Sequence, residues 1–547
     1  MRQGTGRILT THSGSLPRPA GFLPVVLGRE AGQLADDDQF RTQVRAAVRE
    51  TVRKQADAGV DVLNDGEVSK PSYATYVKDR LTGFGGEGSI EEVAASVMGL
   101  QDFPDFAEKM AQTMASAAKI RFTSCDGPVR YAGQRAVQSD IDNLKAAAEG
   151  VRSAATFMSA ASPGVIAVFS PNRYYASQEE YLGALAEAMR EEYEGIHRAG
   201  FVLQLDCPDL AMTAPGAGSL ENFRRQMELN VEALNHALAD IPAEATRIHI
   251  CWGNGEMPRT TDVELKDIID IILKAKPAGL MLMASNGRHA HEWKVFQDTK
   301  LPEGKYVIPG VLDSTTNVVE HPEVVADRLI RYAGVVCRDN VMAGTDCGFG
   351  TIAGMDVVVP SVTWAKFRSQ AEGARIASAH LWGPAALRRE QGVPQAADRA
   401  SGTTPTARPG KVNRDVQLRL LDPCATGIPG TFICSPSTPP HPDPVHTACA
   451  EPCGPRLRCA TSATETSRRQ RHPPVETIET IKESSHVRRT RGQGRHHHRR
   501  RQGSRPGHRR ALRPGRRHRR GVRHQRGRSP EGRREHPRRH RTYLRRP

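Results

Sequence analysis

The chain has 547 residues and 59.9 kDa, with 38% hydrophobic and 5% aromatic residues and a mean hydropathy of −0.51. No apolar run reaches the roughly 18 residues that a spanning helix needs, which excludes a membrane channel or transporter of helical type. The start, MRQGTGRILTTHSGS, lacks the apolar stretch of a secretory signal, so a cytoplasmic protein is expected.

The formal charge of +16 is an average over two unlike parts. Residues 386–547 carry 38 Lys and Arg against 12 Asp and Glu, a formal +26, leaving 39 against 49, or −10, for residues 1–385. All four Trp, all 13 Met and all but one of the 14 Phe lie in 1–385, so the material for a core is there too. That length suits one large domain or a barrel with insertions. The ten cysteines are widely spaced, which argues for thiols rather than a disulfide framework.

Eight short apolar runs read as strands, at 8–11, 60–64, 165–170, 201–206, 247–251, 279–284, 306–312 and 340–346. Helical patterns separate them. Phe40, Val44, Val48 and Val52 precede the second run. Ser177 with Glu180 reads as a capping box, Leu182, Leu185, Met189, Tyr193 and Ile196 form one stripe, and Gly200 stops the helix before FVLQLD. Leu265, Ile268, Ile269, Ile272 and Leu273 lead into GLMLMA in the same way. The alternation predicts an α/β fold, a closed (β/α)8 TIM-type barrel over 1–385. TSCDGPVRYAG, at 123–133, falls outside the count and is expected to be an inserted hairpin over the barrel mouth.

From about residue 386 the periodicity stops, and runs such as SPSTPPHPDPVH and GRHHHRRRQGSRPGHRRALRPGRRHRRG follow. This composition cannot bury enough apolar surface to offset its ordering entropy, so 386–547 is expected to be a disordered basic tail. Its wealth of Arg, Pro, Gly and His with few Lys is that of GC-rich DNA translated out of frame. An Arg-rich arm would bind nucleic acid by phosphate neutralisation. No aromatic residue is interleaved with the Arg-rich runs before Tyr543, however, so specific readout is not expected. Cys449, Cys453 and Cys459 near His441 and His446 match no compact zinc module.

In such a barrel, chemistry collects where strands end and the following loops begin. Those positions hold Ser13 and Ser15, Glu67 in NDGE, Asp206 in QLDCPD, His249 and Cys251 in HICWGN, and Cys347 in TDCGFG. His249 and Cys251 are two apart on a strand and share a face. Cys347 closes the last strand. One imidazole and two thiols with a fourth position open is the arrangement of a catalytic zinc. The plainer alternative is a core histidine with two buried cysteines acting as small hydrophobes. His289 and His291 in RHAHEW, and His12 beside the first strand end, are candidate substrate contacts.

THSGSLPRP, DGEVSKPSYATYV, LQLDCPDLAM, HICWGN, NGRHAHEW, IPGVLDST, AGTDCGFGT and WAKFRSQAEGARIAS occur in order, spanning 7–382. In these motifs the sequence resembles the cobalamin-independent methionine synthases, in their catalytic half and short stand-alone relatives, which include zinc-dependent epoxide and thiol transferases. The resemblance implies a barrel, Zn2+ held by His249, Cys251 and Cys347, and a small thiol substrate activated for methyl or alkyl transfer, homocysteine first. It also implies that Ser15 contacts the amino-acid thiol substrate, while Glu67 and Asp206 anchor its amino group. Two positions depart from the family. Met283 stands where members carry a glutamate as a further zinc ligand, and Thr315 or its neighbours where they carry a histidine acting as acid toward a departing folate nitrogen. A second small thiol with an epoxide or other alkyl donor is the alternative. A metal-free decarboxylase of the uroporphyrinogen type would not need the HxC and DCG residues, and a nucleic-acid protein would work through the tail.

Overall fold

A computed structural model describes residues 6–33, 37–97, 99–100, 102–115 and 120–383. The tail, with its expected disorder and its Cys and His cluster, lies outside the described residues. β1 (Val62–Leu63), β4 (Ala155–Ala161), β5 (Val202–Asp206), β6 (Thr246–Ile250), β7 (Gly279–Leu282) and β8 (Tyr306–Pro309) form one parallel sheet in that order. β2 (Gly86–Glu87) and β3 (Thr123–Ser124) pair antiparallel apart from it.

Two extended segments close the sheet into a ring. Thr10 pairs parallel with Ala343, and Val341 and Gly344 pair with Val307 and Gly310 at the β8 edge. On the other side the amides of Asp61 and Val62 donate to the Thr10 carbonyl at 3.2 and 3.0 Å. The eight-membered barrel is therefore present, with its first and last members reduced to a few bridges. The C-terminal helix Pro360–Trp382 braces this seam. Its Gln370 amide donates to the carbonyls of Thr11, Ala343 and Gly344 at 3.0, 3.2 and 2.8 Å.

Side-chain alternation divides the core in two. Leu9, Val62, Phe157, Met281, Tyr306, Ile308 and Met342 pack inside the barrel. The alternate residues, among them Leu203, Leu205, Ile248, Ile250, Leu280 and Leu282, pack outward against the helices.

The run at 165–170 is not a strand. Pro163–Phe169 is a helix, begun by Ser162, whose hydroxyl accepts from the Val165 amide at 3.1 Å, with Pro163 at its first turn. The strand is the preceding β4, whose small and polar residues hid it. At 123–133 the insertion is present in a different form. β3 pairs with β2, Leu81 pairs with Tyr131, and helices Ile90–Val97 and Pro104–Ala115 lie between. The Ser177 cap occurs as expected, accepting from the Glu180 amide at 3.2 Å ahead of helix Gln178–Arg198. No helix among the described residues is long and apolar enough to cross a membrane.

Candidate active site

β6 carries Arg247 and His249 on its inward face, and Cys251 follows at the same spacing. Cys347 follows the last barrel segment. The ligand atoms of His249, Cys251 and Cys347 all lie within 4.8 Å of one another, and all three residues are buried. The three residues thus form a possible metal-binding group. Cys125, Cys207, Cys251 and Cys347 are free cysteines.

Each member is held in place. His249 Nδ1 lies 3.3 Å from Asp206 Oδ1 and Nε2 lies 3.2 Å from the Asp346 carbonyl. Burial works against a charged imidazole, but the hydrogen bonds to Asp206 and Cys251 outweigh it and raise His249 to about 10. The hydrogen bond from Cys347 holds the Cys251 thiol well below its ordinary value despite burial, and pushes Cys347 upward. One thiolate is thus already favoured at this spot. The Gly253 amide donates to Cys251 Sγ at 3.2 Å.

A buried chain of hydrogen bonds supports the cluster from below. Arg247 is fully buried, stacks over Phe157 at 3.9 Å, and donates to Gln204 Oε1, Thr11 Oγ1 and the His12 carbonyl at 2.9, 3.1 and 3.1 Å. Burial among these neutral acceptors lowers its guanidinium to about 10. Gln204 in turn donates to Asp206 Oδ1 at 3.2 Å and to the Ser13 carbonyl. Neither Arg247 nor Gln204 was singled out by sequence; an arginine on the inward face of an otherwise apolar strand was the available signal. Asp346 does similar work beside Cys347. Its carboxylate accepts from the amides of Ala284, Ser285 and Asn286 at 2.8, 2.8 and 2.6 Å, fixing the loop after β7.

Above the cluster lies a cavity of about 200 Å³. Ser13, Ser15, Glu67, Asp206, His249, Cys251 and Cys347 line it together with Tyr73, Phe122, Phe169, Trp252 and several methionines. Ser15, Glu67 and Asp206 therefore meet the metal-ligand candidates in one space. Glu67 has left-handed backbone, φ 52°, and its Oε2 is buried with no hydrogen-bond partner. Burial raises its carboxyl to about 8, against the attraction of Lys70. A buried oxygen without a partner is a place for a cationic group.

The other three histidines lie elsewhere. His12 is buried beneath the site, with Nε2 2.8 Å from Gln55 Oε1, Nδ1 accepting from the Gly14 amide at 3.2 Å, and its ring against Phe157 and Phe367. Burial lowers it to about 3, so it is neutral. His289 is buried between Asp262 and Glu292, 3.0 Å from each, and its ring packs on Trp252 at 4.5 Å. It supports a cavity wall without lining it. His291 is exposed and does not line the cavity. The partners of His12 and His289 thus engage both ring nitrogens, and His291 faces solvent. Met283 is buried behind the cluster, its Sδ 4.0 Å from Cys251 Sγ and accepting from the Trp252 amide at 3.3 Å. Thr315 is buried, bonded to Asp313 at 2.7 Å, and outside the cavity lining.

A family model described as the catalytic domain of cobalamin-independent synthase matches residues 102–366. The methionine synthase of Saccharolobus islandicus (strain L.S.2.15 / Lassen #1) is 24% identical over 377 residues, covering 68% of this chain and 95% of that protein. The methionine synthase of Thermococcus kodakarensis is 25% identical over 340 residues, 62% of this chain and 86% of that one. Among solved structures, a B12-independent methionine synthase from Shewanella sp. W3-18-1, in complex with selenomethionine, has the same fold. It superimposes with a TM-score of 0.53 and 20% identity, over 70% of this chain and 99% of that one.

Proposed function

We propose that the chain is a member of the cobalamin-independent methionine synthase family and carries out a zinc-dependent transfer of a methyl group to the thiol of homocysteine. The observation that carries the reading is the convergence of one imidazole and two cysteine sulfurs at the floor of a cavity that also holds Glu67 and Asp206. Three buried soft donors with the cavity on their open side fit zinc with one position free.

Bound there, zinc would act as a Lewis acid that makes a thiol a thiolate at neutral pH. Cys251 and Cys347 offset the ion's charge, and His249 is oriented by Asp206. Glu67 and Asp206 receive the ammonium of the amino acid, which gives Glu67 Oε2 its missing partner. Ser15 lies beside Gly348 at the same floor and contacts the bound substrate. The aromatic and methionine wall excludes water, which keeps the sulfur a strong nucleophile. Residues 1–385 form the working unit, in the cytoplasm, and the basic tail is dispensable.

Purified protein, both full length and truncated after residue 385, is analysed for metal and assayed for methionine formation from homocysteine. About one zinc per chain, loss of activity with chelator and recovery with zinc are expected. Less than about 0.3 metal per chain without chelator treatment would favour a metal-free enzyme of the same superfold. Loss of activity on truncation would assign the tail a role.

A further inference from the structure

The loop that follows β6 is folded around one buried cation. Arg259 is 6% exposed, and its guanidinium donates to three main-chain carbonyls of that loop, those of Trp252 and Gly255 at 3.0 Å each and that of Gly253. A forked group with five donors suits three such acceptors. Arg259 has left-handed backbone, φ 58°, a conformation that costs a non-glycine residue and persists where the surroundings hold it. Here they do. Asp262 lies 3.4 Å from the guanidinium and 3.0 Å from His289 Nε2, His289 Nδ1 lies 3.0 Å from Glu292, and Glu292 accepts from the Leu265 amide at 2.7 Å. Burial opposes a charge on His289, but its hydrogen bonds to the two carboxylates outweigh it and raise it to about 9. Cations and carboxylates thus alternate along one buried row that ends on the Cys251 loop.

The row matters because of one peptide group. Its carbonyl, that of Trp252, accepts from Arg259, and its amide, that of Gly253, donates to Cys251 Sγ at 3.2 Å. In a planar trans peptide the two point in opposite directions, so holding the oxygen on one side aims the N–H at the sulfur on the other. A positive charge at the oxygen also polarises the group and strengthens the bond that its N–H donates. Gly253 has φ 107°, where a side chain would be strained, so the turn needs glycine there as well. We propose that Arg259 is a positioning residue for the metal-ligand group, acting through the Trp252–Gly253 peptide to fix and strengthen the N–H···S bond on Cys251. The proposal rests on the metal reading above and extends it to a side chain that does not line the cavity.

A hydrogen bond draws electron density from a thiolate. Cys251 therefore donates less charge to a bound ion, which keeps more of its Lewis acidity for the substrate thiol. The same guanidinium lays the loop along the cavity, where Trp252, Gly253, Asn254, Gly255 and Met257 form part of the wall. From that wall Asn254 Nδ2 donates to the Gly348 carbonyl at 2.8 Å, beside Cys347. One cation thus steadies the loops of both cysteines.

Full-length protein and its Arg259→Met variant are loaded with cobalt and read by their sulfur-to-metal absorption, and zinc affinity is measured by competition with a chromophoric chelator. In the variant the band should move to longer wavelength, because a sulfur with a weakened hydrogen bond gives charge to the metal more readily, and zinc should bind about tenfold more weakly. A band that stays in place or moves the other way overturns the proposal; weaker zinc binding with an unmoved band means loosened packing alone. If the parent protein shows no sulfur band, the metal reading fails and this proposal fails with it. Arg259→Lys keeps the charge but not the fork, so its band should move in the same direction by less. In cadmium-loaded parent labelled at glycine, NMR should show one glycine amide proton coupled to the metal across the sulfur, and the coupling should weaken in Arg259→Lys. Absence of that coupling in the parent, or an unchanged coupling in Arg259→Lys, overturns the proposal even where Arg259→Met does not fold.

Discussion

Glu67→Gln replaces a titratable carboxyl by a neutral amide of almost the same volume, and its effect on stability should depend on pH. Glu67 is 2% exposed, and burial moves its carboxyl from the ordinary 4.5 to about 8. In the folded protein it keeps its proton while the unfolded chain has already released one. Stability therefore falls as pH rises through this window, by about 1.4 kcal/mol for each pH unit. Above the folded value the accumulated loss is about 5 kcal/mol. Glutamine has no such slope. Urea unfolding of metal-free protein near pH 5, 7 and 9, without homocysteine, should give similar curves at the acid end. At the alkaline end the variant should lead by several kcal/mol. The same variant should lose the ammonium contact and raise the homocysteine KM on the order of 100-fold. A stability gap that stays constant across the three pH values would refute a buried, neutral carboxyl at this position.

Cys347→Ser should weaken zinc binding by about 100-fold or more, read by competition with a chromophoric chelator; retention of parental affinity would remove Cys347 from the ligand set. Gln204→Met keeps the size but strips the acceptor from Arg247 and the donor from Asp206. It should cost about 2 kcal/mol in urea unfolding and weaken zinc binding about tenfold. A folded variant with unchanged affinity would show that Asp206 is held by other means. Gly348→Ala would place a Cβ 1.9 Å from Ser15 Oγ, with an expected cost of about 1–3 kcal/mol and a higher homocysteine KM. A variant matching the parent in both would mean that this floor is looser than its geometry implies.

Much of the barrel was legible because outward strand positions are apolar and helix stops are glycines. Leu203 and Leu205, or Ile248 and Ile250, mark strands whatever lies on the other face. β4 escaped because its sequence, Ala-Thr-Phe-Met-Ser-Ala-Ala, carries small residues around a barrel interior already filled by Phe157 and Arg247. The neighbouring PGVIAVF took its place since a short apolar run does not distinguish helix from strand. There the Ser-Pro start was the better guide. In the site, the two-residue spacing of His249 and Cys251 fixed their common face, and the barrel end brought in Cys347. His12 and His289 are less legible, because a histidine near a strand end serves equally well as a buried hydrogen-bonding group. Gln204 and Arg247 act through other residues, and nothing in a linear motif separates that role from core polarity.

The seam between the first and last barrel segments has a consequence for how the protein matures. Thr11 waits for Ala343 and Gly344, and the amide that ties all three together belongs to Gln370. During synthesis the ring cannot shut until residues 341–344 have been made, and its brace, the helix Pro360–Trp382, comes later still. Cys347 is likewise the last of the three side chains of the His249, Cys251 and Cys347 group to leave the ribosome. His249 and Cys251 would thus meet the cellular metal pool as an unfinished pair, and firm capture of the ion would coincide with completion of the barrel.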